Sequence, residues 1–294
     1  MATARLLFRS LRPQQWIKNG FILIPLIFAQ RVFHGPSVLL SLQALFIFCI
    51  LSSAIYLIND INDLEADRQH PEKRNRPLAA GLISARLAKV TAALLLTVSL
   101  LWGASVGRVF LSVLAIYLTV QLLYNYRLKE IVILDIFCVS SGFFLRVTSG
   151  AVAIGVSISH WLIICTVLIS IFLALAKRRH ELVLLGNTQA GNHRKALSSY
   201  SPLLLDQMMG VITASTLLSY MLYCVSPETI EKFRTDHLIY TFPFVLYGIF
   251  RYLYLIHIKS QGGAPEKILV SDLPMAVSII LWGLFCMLII YGVV

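Results

Sequence analysis

The stretch Tyr56–Gly81 reads YLINDINDLEADRQHPEKRNRPLAAG. It closes an apolar run of membrane length, then sets Asp60, Asp63, Glu65 and Asp67 ahead of Arg68, Lys73, Arg74 and Arg76. If the helix continues through it, residues 60, 63 and 67 share one face, because side chains three and four apart stack. Like charges at that spacing repel. A solvated helix end accounts for one such carboxylate, whereas three stacked at a membrane boundary point to a divalent cation. Mg²⁺ is commonly held by one or two carboxylates, with waters and substrate phosphates completing its shell. Asn59, Asp60, Asp63 and Asp67 are therefore the candidate metal ligands, and the three aspartates the candidate catalytic residues.

Outward from this stretch the chain is too apolar for water. Of its 294 residues, 58% are hydrophobic and 13% charged, with a mean hydropathy of +0.79. A soluble domain carries roughly 25% charged residues, so the solvent here is lipid. The net charge of +11 then reports cytoplasmic loops and anionic lipid or phosphate ligands. No basic, aromatic-interleaved segment is present to bind nucleic acid. Cys49, Cys138, Cys165, Cys224 and Cys286 each stand alone in apolar runs and read as small buried hydrophobes. The first twenty residues lack a short apolar core with a small-residue cleavage site, so no removed signal peptide is expected.

A helix needs about 20 largely apolar residues to cross a bilayer. Such stretches lie at 17–34, 38–58, 87–106, 109–126, 132–155, 159–176, 203–225, 238–258 and 273–294. The expected fold is all-α: a polytopic membrane bundle of about nine transmembrane helices, in a single domain over residues 1–294. The first and sixth stretches are close to the lower length limit. Most Lys and Arg fall on alternate connections, near Arg12, Arg74, Lys129, Arg178 and Lys259. The positive-inside rule then places the N-terminus and the Asp cluster in the cytoplasm and the C-terminus outside a cell (inner) membrane. Two longer cytoplasmic loops are expected near 59–86 and 177–202, and a solvated external loop near 226–237.

Lys18, Lys73, Arg74, Arg76, Lys129, Lys177 and Arg178 share the side of the aspartates. Each alone is explained by topology. Together, cations for phosphate beside carboxylates for metal make a pyrophosphate site. Arg146, in FFLRVTSG, lies well inside the fifth stretch, where a charge must face the bundle interior or a polar cavity. Pairing with an acid and lining a ligand site both remain open for it. His160, His180 and His193 have no metal-site spacing, and no P-loop, G-x-G-x-x-G or G-x-S-x-G occurs.

The N-D-x-x-D-x-x-x-D run after a membrane helix resembles the UbiA superfamily of intramembrane prenyltransferases. LRPQQWIKN (11–19), NDLEADRQHPEKRNRPLAAG (62–81), YNYRLKEIVILDIF (124–137), GFFLRVTSGA (142–151) and LAKRRHELVLLG (175–186) narrow the resemblance to its decaprenyl-phosphate phosphoribosyltransferase branch. The resemblance implies a Mg²⁺-dependent transfer of phosphoribose from phosphoribosyl pyrophosphate to a polyprenyl phosphate. It implies Lys18, Lys73, Arg74, Arg76 and Lys129 on the phosphates, and Asn59 on a metal water or donor hydroxyl. Tyr124, Arg146, Lys177, Arg178 and Glu181 are the further substrate-binding candidates.

One departure matters. Aromatic prenyltransferases of the superfamily carry a second D-x-x-x-D after the sixth span, and KRRHELVLLGNTQAGNHRKALSSYSPLLLDQ (177–207) has none. A prenyl chain moved from prenyl diphosphate to an aromatic acceptor is the alternative activity. A transporter would place its charges at the midplane near broken helices, and a structural lipid-binding protein would not need repelling aspartates. A homo-oligomer is left open.

Overall fold

The computed structural model describes residues 2–69, 71, 73–193, 195–259, 262–263, 268 and 271–292. Arg194 and Lys267, which belong to the cationic side, lie outside the described residues. In chain order the elements are α1 (Ala2–Ser10), a 3-10 segment (Pro13–Leu23), α2 (Ile24–Phe28), α3 (Gly35–Asn62) and α4 (Leu64–Gln69). A short 3-10 turn (Lys73–Asn75) precedes α5 (Ala85–Val106), α6 (Arg108–Tyr126) and α7 (Leu134–Ile154). Then come α8 (His160–His193), α9 (Lys195–Ser198), α10 (Pro202–Val225), α11 (Pro227–Phe233), α12 (Phe242–His257) and α13 (Leu273–Ile290). No strand occurs among the described residues. Eight of these stretches are long and apolar enough to cross a membrane, matching every expected span except the first.

That first span is built differently. Pro25 has no N–H and its ring clashes with the carbonyl four residues back, so an α-helix cannot run unbroken through 17–34. The chain instead forms the 3-10 segment, with Pro25 near the start of α2. Its partners on α3 fall in reverse order. Arg12 pairs with Asp60, Trp16 Nε1 donates to Ser53 Oγ (3.0 Å), and Asn19 Nδ2 donates to Ser52 Oγ (3.3 Å). The segment therefore runs antiparallel along α3, whose 28 residues span roughly 40 Å at 1.5 Å each. From Arg12, beside Asp60, the chain travels to Gly35 at the far end of that helix. Irregular though it is, this stretch covers a membrane thickness.

The chain divides into two compact units: residues 1–26, 31–138 and 145–157, and residues 27–30, 139–144 and 158–294. In the first, α3 is the central helix and packs on α5, α6 and the 3-10 segment. Association in lipid depends on close packing rather than on water exclusion, and small residues supply it. Ala88, Ala92, Ser99 and Gly103 form the buried stripe of α5. Gly150 of α7 lies so close to the 3-10 segment that a Cβ there would sit 2.0 Å from the Ile22 carbonyl oxygen. Outward, Leu94, Leu101, Val109 and Ile116 are exposed, as lipid-facing side chains should be.

In the second unit α8 packs on α10, and α12 on α13. Two expectations change here. The helix begun at His160 continues to His193, so much of the expected 177–202 loop is helix; ALAKRRHELVLL offers strong helix formers and no breaker. The expected solvated loop at 226–237 contains α11, capped when Ser226 Oγ accepts from Thr229 N. Its Phe233 is buried with Leu238, Tyr220 and Cys286.

Candidate active site

The site grows from the end of α3. Asn59 and Asp60 occupy its last turns, Asp63 caps it with φ −93° and ψ 11°, and Asp67 lies in α4. The helix breaks at Asp63 yet keeps its pitch, since Asp63 N donates to Asn59 O (2.9 Å) and Asp67 N to Asp63 O (2.8 Å). At about 100° per residue, a spacing of seven returns to within about 20° of the start, whereas a spacing of three falls about 60° away. Asp60 and Asp67 accordingly converge and Asp63 diverges. Asp60 and Asp67 are almost wholly buried, while the Asp63 side chain is 27% exposed.

Each carboxylate has a cation. Arg12 and Arg76 both donate to Asp60, Arg76 Nη1 at 3.1 Å, and the same Arg76 nitrogen donates to Asp67. Asp63 accepts instead from Lys129 Nζ at 2.6 Å. The three expected aspartates thus do not stack on one ligand position. Among the described residues no three His, Cys, Asp or Glu side chains group closely enough to hold a metal. The pair Asp60 and Asp67 still fits Mg²⁺, which needs only one or two protein carboxylates when phosphates and water complete its shell. The Arg76 guanidinium lies between these carboxylates, where a cation belongs.

Arg76 is brought there by its loop. Ala80 N donates to Arg76 O (2.8 Å) and Leu82 N to Pro77 O (2.9 Å). Gly81, at φ +71°, takes the left-handed conformation that glycine adopts without steric penalty. The folded loop drives Leu78 and Ile83 into a cluster with Leu57, Ala88 and Ala92, pinning Arg76 above the acids. Its expected companions differ: Lys73 is half-buried and Arg74 exposed.

Arg12 was expected only as a charge on the cytoplasmic side; the structure pairs it with Asp60. Its backbone is left-handed (φ 55°, ψ 58°) immediately before Pro13, a conformation costing on the order of 1–3 kcal/mol and held only where surroundings over-determine it. Those surroundings are Asp60 and the Tyr56 ring, 5.1 Å from the guanidinium. A cavity of about 180 Å³ opens here, lined by Arg9, Arg12, Asp60, Asn75 and Arg76.

Deeper in the same unit Arg146 is buried. Its Nε donates to Asn19 Oδ1 (2.7 Å), its Nη2 donates to Tyr117 Oη (2.8 Å), and its guanidinium lies 5.0 Å from the Tyr117 ring centroid. Arg146 thus ties α7 to α6 and to the 3-10 segment. Lys18 lies in that segment and, like Tyr124 near the end of α6, is half-buried. The remaining candidates belong to the second unit. Lys177 is exposed, and Arg178 is buried and donates to Glu181 Oε2 (2.7 Å). Arg179 pairs with Asp206 at 2.5 Å.

The description UbiA prenyltransferase family matches residues 20–269. The chain belongs to the UbiA prenyltransferase family. Within that family it is 35% identical to a decaprenyl-phosphate phosphoribosyltransferase of Corynebacterium glutamicum, over 95% of this chain and 85% of that one. It is 33% identical to the Mycolicibacterium smegmatis protein of the same name, over 94% and 89%. A UbiA homologue from Archaeoglobus fulgidus, solved with GPP and Mg²⁺, superposes with a TM-score of 0.75 at 18% identity, covering 97% of this chain and 99% of that one. The UbiA fold of an integral membrane protein is thereby established.

Proposed function

We propose that this UbiA-family protein transfers 5-phosphoribose from phosphoribosyl pyrophosphate to a decaprenyl-type polyprenyl phosphate, releasing pyrophosphate, within one integral-membrane domain over residues 1–294. The observation that carries the reading is the convergence of Asp60 and Asp67 on Arg76, with Arg12 alongside. That is a carboxylate pair for a metal set among cations for phosphates. The near full-length similarity to proteins named for this transfer supports the sugar donor over a prenyl donor.

In this reaction a phosphate oxygen of the acceptor attacks the anomeric carbon of the donor. The new C–O bond forms as the bond to pyrophosphate breaks, and pyrophosphate leaves with the electron pair. The acceptor phosphate is already ionised at neutral pH, so no general base is needed. Asp60 and Asp67 would hold Mg²⁺, which would supply Lewis-acid neutralisation of the leaving group; Asn59 is a further proposed donor, while Asp63, expected as a ligand, is turned to Lys129. Arg76, Arg12, Lys73, Arg74 and Lys129 hold phosphates through charge-assisted hydrogen bonds. Lys18, Tyr124 and Arg146 support the site from within the first unit; Lys177, Arg178 and Glu181 are proposed as substrate-binding residues of the second unit.

Each acid is matched by a cation before substrate arrives. Donor phosphates would draw Arg12 and Arg76 off the acids, leaving the Asp60 and Asp67 carboxylates as the residues that would hold a divalent cation. The site then lies on the cytoplasmic face, with the N-terminus cytoplasmic and the C-terminus external.

The test is incubation of purified protein with labelled phosphoribosyl pyrophosphate and a panel of polyprenyl phosphates. A labelled lipid is expected with Mg²⁺ and none after chelation. Prenylation of an aromatic acid from prenyl diphosphate, with phosphoribosyl pyrophosphate ignored, would overturn the reading.

A further inference from the structure

Asn125 lies near the end of α6, in the run YNYRLKE. It is 6% exposed, and its Nδ2 has no hydrogen-bond partner among the described residues. No other buried side-chain nitrogen among those residues is left so. The remaining buried residues of α6 are Phe110, Val113, Leu114 and Tyr117, so an amide stands where the helix otherwise presents rings and aliphatic groups. Asparagine is also a poor helix former, and burying its amide unpaired costs free energy. Buried donors are paired in the great majority of cases. This one points to a partner that the chain itself does not supply.

The level of Asn125 in the first unit follows from how α6 packs on α3. The Phe48 ring meets those of Phe110 and Tyr117, with centroids 6.5 and 5.1 Å apart. Further along, Lys129 Nζ donates to Asp63 Oδ1. Residue numbers rise together along the contact, so the two helices run parallel. Lys129 and Asp63 are 66 positions apart. The same offset sets Phe48 opposite Leu114, between the two rings it touches, so one register holds along the contact. It sets Asn125 opposite Asn59, next to Asp60. The unpaired amide is level with the acids that Arg12 and Arg76 neutralise.

We infer that Asn125 is a binding residue for the pyrophosphate end of the donor, its Nδ2 donating to a phosphate oxygen. An amide nitrogen only donates, so its partner is an acceptor, and an oxyanion is the acceptor that the surrounding cations suit. Its role differs from theirs. Arg12, Arg76 and Lys129 each hold a carboxylate already and must exchange it to bind a phosphate. Asn125 exchanges nothing, and it fixes the direction of one oxygen without adding charge. The identity of the donor rests on the proposed phosphoribosyl transfer; a diphosphate contact at Asn125 does not.

The test uses the full chain in a neutral detergent. Asn125→Leu keeps the branched shape and removes the donor; Asn125→Ala covers the case in which leucine overfills the position. Without ligand, at least one of the two should melt no lower than the unaltered protein, because an unpaired buried group has been removed. Magnesium pyrophosphate should raise the thermal midpoint of the unaltered protein and that of the variants less. The donor KM should rise about tenfold, the scale of a hydrogen bond to a charged group, with the acceptor KM unchanged. If both variants melt lower without ligand, the amide has its partner within the fold and the assignment is wrong. Equal stabilisation by pyrophosphate, or an unchanged donor KM, would overturn it too. If no phosphoribose is transferred but pyrophosphate still stabilises the unaltered protein more than the variants, the contact at Asn125 stands and the phosphoribosyl reading fails.

Discussion

Asp60 and Asp67, seven residues apart and on either side of a helix break, accept hydrogen bonds from the same Arg76 nitrogen. Asp60 also has Arg12, but Asp67 is balanced by Arg76, so the buried pair stays neutralised only while that cation, or a replacement, is present. Breaking a buried pair by removing one partner strands the other charge, at a cost of about 3–5 kcal/mol.

The first prediction follows for the metal. Arg76 competes with a divalent ion for Asp60 and Asp67, so Arg76→Gln should bind Mn²⁺ about fivefold more tightly without donor, the scale of a modest charge interaction. The same variant should bind phosphoribosyl pyrophosphate more weakly. Asp60→Asn and Asp67→Asn should lose Mn²⁺ binding and turnover, the latter on the order of 100-fold. Electron paramagnetic resonance titration of Mn²⁺ reads the affinities directly. Weaker Mn²⁺ binding by Arg76→Gln would remove the competition.

Much of this was legible in the chain and some was not. Eight of the nine expected spans are long helices, because length and hydropathy are local properties, and the repelling acids pointed to a cation for the same reason. The pairing of Arg12 with Asp60 was missed because the two are 48 positions apart and the charge of Arg12 already suited the expected cytoplasmic side. Asp63 was expected to stack with its neighbours. A three-residue step falls well short of a full turn, and the break at Asp63 freed it to meet Lys129, itself 66 residues away. The 3-10 segment was not foreseen: 17–34 was expected as an ordinary helical span, and its antiparallel course along α3 depends on Trp16 and Asn19 finding Ser53 and Ser52.

Lys129 and Asp63 should behave as a unit. Both side chains are partly exposed, so their coupling should be modest, about 0.5–1 kcal/mol. A double-mutant cycle with Lys129→Gln and Asp63→Asn, read through the donor KM, should show losses that do not add. Strictly additive losses would mean that the pair does not persist when substrate is bound.

Packing makes a sharper prediction at two glycines. At Gly150 a Cβ would sit 2.0 Å from a backbone carbonyl oxygen, whereas at Gly103 it would meet Cδ1 of Leu114 at 2.3 Å. A leucine methyl can rotate away; a carbonyl fixed in the 3-10 segment cannot. Gly150→Ala should therefore destabilise by about 1–3 kcal/mol or more and displace α7, which carries Arg146 one turn earlier. Gly103→Ala should cost less. Thermal midpoints in detergent check the order, and a more stable Gly150→Ala would refute the close approach.

Asp272 provides a pH handle. It accepts from Arg251 Nη2 (2.8 Å) and caps α13 by accepting from Met275 N (3.0 Å). The Arg251 hydrogen bonds, helped by the cap, hold its carboxyl below the usual range. A depressed folded-state value gives stability that is present above the unfolded value, about 3.9, and is lost as pH falls through the folded one. The thermal midpoint should fall more steeply below about pH 4 in the unaltered protein than in Asp272→Asn, which keeps the cap but cannot titrate. Superimposable pH profiles would exclude the pair as a contributor.

Topology gives the last prediction, because the count of long helices is even and the charge pattern calls for an odd number of crossings. Eight long helices alone would leave both termini on one side of the membrane. The 3-10 segment and α2 together rise roughly 30 Å at 2.0 and 1.5 Å per residue, the thickness of the hydrocarbon core. Their course from Arg12, beside Asp60, to Gly35 at the opposite end of α3 makes them a ninth crossing. The Lys and Arg distribution requires the same odd number, with Arg12 and Lys18 on the side of the aspartates and Arg31 on the other. A reporter at the N-terminus should therefore be cytoplasmic and one after Val294 external. Replacing Arg12 with Gln should weaken the anchor at the cytoplasmic end without reversing the topology, because Trp16 and Asn19 still hold the segment to α3. Both reporters on one side would show that the segment does not cross, and the antiparallel course along α3 would then be wrong.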